Sequence, residues 1–172
     1  MTEADRDLVL EWRNRPEVRH YMYTCREITA EEHRRWFDEA TRDAARRLLM
    51  SVNEDDSPIG VVTFSGIDFA SKVATWGLYT GPAAAPGSGS QMGLLALSYA
   101  FGPLGLEKLN SEVLDFNTRS LDFHRKLGFR VAEIMAGHYV RDGRRYDVYR
   151  LEHSREAWLE QVGRTAQWGA GR

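Results

Sequence analysis

A strand-like segment, a glycine-rich stretch and an apolar segment follow one another in mid-chain, and this order constrains the fold more than any other feature. They read KVATWGLYT, then APGSGSQMG at residues 85–93, then an apolar run that continues to Phe101. The glycine-rich stretch could be a flexible linker between two domains, or a loop that holds a phosphate. Because strand-like segments lie on both sides, a linker would cut one sheet in two, so the sequence favours a loop within one domain.

The segments around this stretch predict the rest of the sheet. RLLMSVN, PIGVVTFSGIDF and KVATWGLYT are rich in β-branched and aromatic residues and are separated by short turns, which predicts an antiparallel meander. KLNSEVLDF predicts a further strand, and FRVAEIMAGHYVRDGRRYDVYRL predicts a hairpin that turns at Asp142-Gly143. We therefore expect an α/β (α+β) fold with a mixed, mostly antiparallel central sheet flanked by helices.

Capping residues mark the predicted helices. Thr2 begins a first helix over TEADRDLVLEWRN, and Pro16 begins a short second one. Thr29 and Glu32 form a capping box for a third helix, whose buried side is predicted from apolar spacing to hold Trp36, Phe37 and Ala40. An asparagine cap opens NTRSLDFHRKLGF at residues 117–129, and SREAWLEQV predicts a short last helix. The expected domain covers residues 1–162, and residues 163–172 are expected to form a flexible tail.

Composition excludes several classes of function. The chain has 172 residues, a net charge of −2 and a single cysteine, Cys25, to which we assign a structural role. No overall basic field is present to recruit nucleic acid, and no apolar run is long enough to span a membrane. The acidic start differs from a signal peptide, so a cytoplasmic location is the expectation. Small molecules are the expected partners, with no nucleic acid and no membrane, and a homodimer is compatible with the sequence.

The glycine-rich stretch has the chemistry of an anion site. A helix N-terminus presents backbone N–H groups without intrahelical acceptors, together with the positive end of the helix dipole. Gly87 and Gly89 have no side chain to keep an anion away, and Ser88 and Ser90 can donate hydroxyl groups. The stretch matches neither the Walker loop nor the dinucleotide fingerprint, so we predict a site for a pyrophosphate reached mainly through the backbone.

WGLYTGPAAAPGSG and NTRSLDFHRKLGF together resemble the GNAT superfamily of N-acetyltransferases, which bind acetyl-CoA with a strand, a glycine-rich loop and a helix. The pieces LVLEWRNRPEVRHYM, EEHRRWF and PGSGSQMGLLALSYAF narrow the resemblance. They look like the branch that acetylates the 4-amino group of a UDP-linked 4,6-dideoxy amino sugar in pseudaminic acid biosynthesis. The resemblance implies direct attack of the amine on acetyl-CoA in a ternary complex, without a metal.

The resemblance also implies roles for individual residues. Leu78 and Tyr79 would line the pantetheine arm of acetyl-CoA through their backbone, Asn117 and Ser120 would contact the same arm, and the pyrophosphate would lie on Pro86, Gly87, Ser88, Gly89 and Ser90. His124 stands where the family has the tyrosine that protonates the departing thiolate, and we assign it the catalytic role. The chain departs from the family pattern at Ala84, where arginine or glutamine is usual, and the family's first strand is not apparent.

The sugar nucleotide that accepts the acetyl group is expected to lie against the first helices. The candidate residues for binding it are Arg13, Asn14, Arg15, His33 and Trp36. Arginines suit the phosphates of UDP, and an aromatic ring suits the uracil. The sequence leaves the general base open among His33, Asp68, Glu112 and a bridging water. His20, His138 and His153 lack partners at metal-ligand spacing, so no metal is expected.

Three alternatives remain open at this point. The chain could acetylate a protein N-terminus, an aminoglycoside or another small amine, or it could be a regulatory module that binds CoA without catalysis. It could also be a structural domain without a ligand.

Overall fold

The computed structural model describes the backbone of residues 1–169 and the side chains of residues 1–163. The chain divides into two compact units. The first unit contains Met1–Ile67 and Trp76–Met92, and the second contains Asp68–Thr75 and the chain from Gly93 onward. Both the third strand and the fourth helix pass from one unit to the other.

The first unit begins with helices. A 3-10 turn at Glu3–Asp5 leads into α1 (Arg6–Asn14), followed by α2 (Pro16–Arg19) and α3 (Ala30–Arg42). Strands β1 (Arg47–Val52) and β2 (Pro58–Asp68) pair antiparallel, and β3 (Val73–Thr80) is the next strand of the sheet. Helix α4 (Ser88–Phe101) follows the glycine-rich loop.

The second unit contains the remaining elements in the order β4 (Lys108–Leu114), α5 (Thr118–Lys126), β5 (Arg130–Arg141), β6 (Arg144–Ser154) and α6 (Arg155–Gly169). The start of β3 pairs parallel with β4, in the register Val73↔Lys108. Strand β6 pairs antiparallel with both β4 and β5, so it lies between them.

The six strands are ordered β1-β2-β3-β4-β6-β5, with one parallel pair among mostly antiparallel ones. This confirms the predicted mixed, mostly antiparallel sheet with helices. Among the described residues no strand precedes α1, as the sequence indicates, and β1 is an outer strand of the sheet. The amino group of Met1 donates to the Leu48 carbonyl of β1 over 3.4 Å.

Short sequence motifs correctly predict the start of α3 and the turn between β5 and β6. The Thr29 hydroxyl accepts the Glu32 N–H and the Glu32 carboxylate accepts the Thr29 N–H, which is the expected capping box. Asp142 and Gly143 have φ of 50° and 74°, as the tight turn between β5 and β6 requires. In the first unit, Val9 and Trp12 of α1 pack with Val61 of β2 in a buried cluster.

The structure differs from the prediction at three places. Helix α4 begins at Ser88 rather than at residue 90, so two residues of the predicted loop belong to its first turn. The short last helix is longer than predicted and ends at Gly169; residues 170–172 lie outside the described residues, and the flexibility of the expected tail stays a prediction. On α3 the buried positions are His33, Phe37 and Ala40, whereas Trp36 is only half-buried. No helix in the described part of the chain is long and apolar enough to cross a membrane.

Candidate active site

The glycine-rich loop closes on itself and then starts helix α4. The Ser88 N–H donates to the Ala85 carbonyl over 3.1 Å, and the Gly87 carbonyl accepts the N–H groups of Ser90 and Gln91. Gly87 has φ of +93°, a conformation that side chains other than glycine's rarely adopt. In the described part of the chain, the N–H groups of Gly87 and Gly89 have no acceptor. These are the groups that a phosphate at a helix N-terminus would use.

The surface of the loop is open around these glycines. A Cβ built on Gly87 meets no atom within 4 Å, and one built on Gly89 comes only within 3.7 Å of Thr80 Cγ2, an ordinary contact. Ser88 is buried, while Pro86 and Ser90 are exposed. The loop residues therefore fit a phosphate group. Glycine is needed at position 87 for the backbone, but nothing in the protein itself requires it at position 89.

The Tyr79 side chain is packed within the first unit. The ring packs on the cluster of Val9, Trp12 and Val61, and burial raises the pKa of its phenol, with nearby Arg13 partly opposing the rise. The phenol is therefore neutral over the physiological pH range. The neighbouring Leu78 is half-buried on the same strand.

Arg13 is half-buried, and its guanidinium group is incompletely hydrogen-bonded within the described part of the chain. Its Nη2 donates to the Thr24 carbonyl over 2.9 Å, but Nη1 is buried without a hydrogen-bond partner in the described part of the chain. Burial lowers the pKa of Arg13, although an arginine stays charged at physiological pH. A buried cationic N–H without an acceptor is costly, so an anion at Nη1 would stabilise this arrangement.

His33 on α3 also has buried polar atoms without a hydrogen-bond partner in the described part of the chain. It is 2% exposed, and neither ring nitrogen has a partner among the described residues. Burial lowers the pKa of His33, and the charges of Arg6 and Arg13 lower it further against the opposing effect of Asp7. Its imidazole is therefore neutral near pH 7. The Trp36 ring lies 5.1 Å from the His33 ring, centroid to centroid.

Two further residues predicted to contact the acetyl acceptor, Asn14 and Arg15, form hydrogen bonds or ion pairs within the protein. The Asn14 amide donates to the Ile28 carbonyl and accepts the Ile28 N–H, both over 2.8 Å, and so joins the end of α1 to the segment before α3. The Arg15 guanidinium pairs with Glu17, with Nε at 2.7 Å from Oε1. Both side chains have structural partners, and their contact with a substrate stays a prediction.

Asn117 and Ser120 form the start of α5 in the second unit. The Asn117 side chain accepts the Ser120 N–H over 3.2 Å, and the Asn117 N–H donates to the Leu114 carbonyl over 2.8 Å. Asn117 is thus the helix cap that the sequence predicts. A contact with acetyl-CoA would use the donors of its amide, which the cap leaves unused.

His124 is buried in α5 with a defined tautomer. Its Nδ1 lies 2.8 Å from the Ser120 carbonyl oxygen, and because a carbonyl only accepts, Nδ1 carries the hydrogen. The ring packs edge-on against Phe123 and Phe129. Burial lowers the pKa of His124, partly opposed by the hydrogen bond to Ser120, so the neutral imidazole dominates near pH 7. A protonated His124, as a general acid requires, is a minor form there.

The other candidates for the general base, Asp68 and Glu112, have different surroundings. The Asp68 carboxylate is held by the Ser71 hydroxyl and by two backbone N–H groups of its turn; these bonds lower its pKa, which makes it a weak base. Glu112 is exposed on β4. No group of three or more metal-ligating side chains occurs among the described residues.

A family model described as an acetyltransferase (GNAT) domain matches residues 1–130. The chain belongs to the GNAT acetyltransferase family. This GNAT protein is accordingly an acetyl-CoA-dependent N-acetyltransferase.

Relatives of known name and structure agree with this assignment. The GNAT protein is 28% identical to an acetyltransferase called PseH from Campylobacter jejuni over 125 residues, which cover 73% of this chain and 76% of that one. It is 31% identical to YokL, an uncharacterized N-acetyltransferase from Bacillus subtilis, over 59% of this chain and 57% of that one. Its fold matches that of a spermidine N-acetyltransferase from Vibrio cholerae, solved with CoA and spermine. The TM-score is 0.86 at 19% identity, over 92% of this chain and 95% of that one.

Sequence reasoning missed two properties of this GNAT site. The sequence predicts a role for Tyr79 through its backbone alone, and no local pattern indicates that its ring packs against α1. The sequence also fails to predict the burial of His33, because the apolar spacing on α3 predicts that Trp36 is buried instead.

Proposed function

We propose that this N-acetyltransferase transfers the acetyl group of acetyl-CoA to the 4-amino group of a UDP-linked 4,6-dideoxy amino sugar. The observation that carries the choice of acceptor is Nη1 of Arg13 in the first unit, which is buried without a hydrogen-bond partner among the described residues. A site that buries a cationic N–H favours an acceptor with an anionic group, and a nucleoside diphosphate sugar has one. The resemblance to the pseudaminic acid branch supports the same acceptor.

A polyamine is the competing acceptor, since the fold matches a spermidine N-acetyltransferase. A polyamine is a chain of positive charges, and carboxylates are its natural partners. Arg6 and Arg13 are the cations that act on His33, and Arg6 pairs with the carboxylates of Glu3 and Asp7. Arg13 has no carboxylate partner in the described part of the chain, and an unpaired arginine favours an anionic acceptor over a polyamine.

The proposed binding of acetyl-CoA uses the loop before α4. The N–H groups of Gly87 and Gly89 would hold the pyrophosphate, together with Pro86, Ser88 and Ser90, and Leu78 and Tyr79 would line the pantetheine arm. In the second unit, Asn117 and Ser120 would contact the arm as well. Bound acetyl-CoA supplies the acetyl group as a thioester, whose carbonyl carbon is open to attack by an amine.

The reaction needs a neutral amine and a proton for the departing thiolate. The new C–N bond forms as the C–S bond breaks, one proton leaves the amine, and one reaches the sulfur. His33 is the strongest candidate to accept the amine proton, because its imidazole is neutral and neither ring nitrogen has a hydrogen-bond partner in the part of the chain that the structure describes. His124 is the candidate proton donor, and its lowered pKa predicts a kcat that begins to fall as the pH rises through the range below about 6.5.

The test is a thiol-release assay with acetyl-CoA and four acceptors: the UDP-4-amino sugar, spermidine, an N-terminal peptide and an aminoglycoside. We expect turnover with the UDP-sugar alone. Turnover with spermidine in its place would refute the proposed acceptor. CoA binding without turnover on any of the four amines would refute the proposed acceptor as well and indicate a different amine.

Two variants test the residues. Arg13→Gln removes the guanidinium and is expected to raise KM for the UDP-sugar about 10- to 100-fold, since a hydrogen bond to a charged group contributes about 1.5–3 kcal/mol. KM for acetyl-CoA should stay unchanged. Arg35→Gln on the exposed side of α3 is the matched control and should change neither value. His124→Tyr restores the family's usual proton donor and should retain kcat, whereas His124→Ala should lose it.

A further inference from the structure

A second buried histidine of the second unit, His153 on β6, packs beneath the end of α5, the helix that carries His124. It is 2% exposed, and neither ring nitrogen has a hydrogen-bond partner among the described residues. A neutral imidazole has one N–H donor and one acceptor, and burying both without partners costs free energy that a phenylalanine at this position would avoid. The proposed reaction makes no use of His153, so its polar ring calls for another role.

The pocket around His153 is made of aromatic rings. The Phe101 ring of α4 lies 5.6 Å from the His153 ring, centroid to centroid, and the Trp158 ring of α6 lies 6.4 Å from it. The Phe129 ring, which follows α5, lies 5.2 Å away. Burial in this pocket lowers the pKa of His153. The pocket therefore holds the neutral imidazole, whereas the charged form must take up water.

Among the described residues, those that face His153 carry no charge. Leu109 stands opposite it on β4, and a Cβ built on Gly128 would lie 3.2 Å from its Nε2 and 2.7 Å from Oε1 of Gln161. No charge of the described residues acts on its pKa, for which burial is the cause. A proton on His153 thus has no counter-charge in the pocket. The titratable side chains of the surrounding elements are half-buried or exposed: Tyr99 on α4, Lys108 on β4, Arg125 and Lys126 on α5, Arg130 on β5, Glu152 on β6, and Arg155, Glu156 and Glu160 on α6.

Phe129 joins His153 to His124. The centroid of its ring lies 5.0 Å from that of His124 and 5.2 Å from that of His153. The Phe129 N–H also donates to the His124 carbonyl over 3.0 Å. Both the ring and the backbone of Phe129 thus contact His124, and all three residues belong to the second unit. A displacement of Phe129 would change the support of the His124 ring.

The backbone between α5 and β5, here called the corner and formed by Gly128 and Phe129, is tightly packed. Gly128 has φ of +97°, and its N–H donates to the Arg125 carbonyl over 3.1 Å, which ends α5. A side chain at this position would collide with Gln161. Because the corner packs directly on His153, hydration of the His153 ring would displace the same backbone that holds Phe129.

We propose that His153 is a positioning residue for His124. While its imidazole is neutral, it packs against the corner and holds Phe129 against the His124 ring. When it takes up a proton, the pocket admits water, the corner shifts and His124 loses its alignment. The inference rests on the proposed function only for the role of His124 as proton donor, since the contacts through Phe129 do not depend on that role.

The test is an NMR titration of the histidine rings in the ¹⁵N-labelled full chain, without substrates, from neutral pH to the onset of acid unfolding. We expect the His124 signals to move in two steps, one with its own titration and one with that of His153. In His153→Phe the second step should be absent. A His124 that titrates in the same single step in both proteins would overturn the proposal, as would a His153 that stays neutral until the chain unfolds.

Two matched variants test the path through Phe129. Phe101 and Phe129 are both buried and both contact the His153 ring, but Phe129 also contacts His124. Phe129→Leu should abolish the second step of His124 while both histidines still titrate, and Phe101→Leu should keep it. Persistence of the step in Phe129→Leu, or its equal loss in both variants, would refute this path. Thermal denaturation at each pH identifies any loss of fold.

The kinetic consequence is a difference in kcat that appears only in acid. Below the pH at which His153 titrates, kcat of His153→Phe should exceed that of the wild type about 3- to 10-fold, because a displacement of about 1 Å can cost about 100-fold in rate. Near pH 7 the two values should agree, and KM for acetyl-CoA should match throughout. A ratio of kcat values that does not change with pH would contradict the positioning role. Failure of every acceptor to turn over would instead refute the proposed function, while the NMR titration still decides the role of His153.

Discussion

Gly87 and Gly89 lie two residues apart, yet the structure predicts opposite effects for replacing them with alanine. Gly87 has φ of +93°, so alanine there is strained by its backbone although its Cβ would meet nothing within 4 Å. The strain is about 1–2 kcal/mol. For a chain of this size, that lowers Tm by about 2–8 °C.

Gly89 is the second residue of α4, and alanine there fits the protein alone. The nearest atom to the new Cβ would be Thr80 Cγ2 at 3.7 Å. Alanine also favours a helix over glycine by up to about 1 kcal/mol, so Tm should hold or rise slightly. If the pyrophosphate lies against this backbone, however, the Cβ displaces it.

Loss of one phosphate hydrogen bond to the backbone corresponds to a KM for acetyl-CoA raised about 10- to 100-fold in Gly89→Ala. Differential scanning fluorimetry and the thiol-release assay measure the two quantities separately. A Gly89→Ala enzyme that is stable and has an unchanged KM for acetyl-CoA would refute the phosphate site at this loop. Gly87→Ala, assayed well below its Tm, reports how far strain in the loop by itself affects binding.

Three further predictions concern stability. His153 is buried without a hydrogen-bond partner among the described residues, and burial lowers its pKa, so the folded chain binds fewer protons than the unfolded chain below about pH 6.5. The free energy of unfolding should therefore fall as the pH is lowered through that range, and His153→Gln should make the slope shallower in denaturant titrations; an unchanged slope would contradict this. Asn14→Ala removes both hydrogen bonds to Ile28 and should cost about 1–3 kcal/mol, measured by urea unfolding, with no change expected from the exposed Arg35→Gln. Gly81→Ala would bring a Cβ within 2.7 Å of the Trp12 ring and should destabilise by about 1–3 kcal/mol; a wild-type Tm would show that the ring can move aside.

The candidate site was predictable only in part. The glycine loop and Asn117 follow from short motifs that act through their own backbone, so the sequence locates them within two residues. The sequence predicts Asn14 and Arg15, like Arg13, as substrate contacts, because the acceptor is expected against the first helices and arginines suit the phosphates of UDP. The structure gives Asn14 and Arg15 partners inside the protein and, among the described residues, leaves a buried N–H of Arg13 without one. That difference depends on Ile28, Glu17 and Thr24, whose positions no local pattern specifies.

The sequence by itself determined the features that depend on neighbours along the chain. The capping box at Thr29 and Glu32, the cap at Asn117 and the turn at Asp142-Gly143 each rest on hydrogen bonds or dihedral angles within a few residues.

Only the tertiary structure decided the order of strands and the inner side of α3. Strand β6 lies between β4 and β5, and His33 is buried where the apolar spacing favours Trp36. Strand pairing and side-chain burial are set by contacts between residues far apart in sequence, and those contacts leave no periodic signal in either segment.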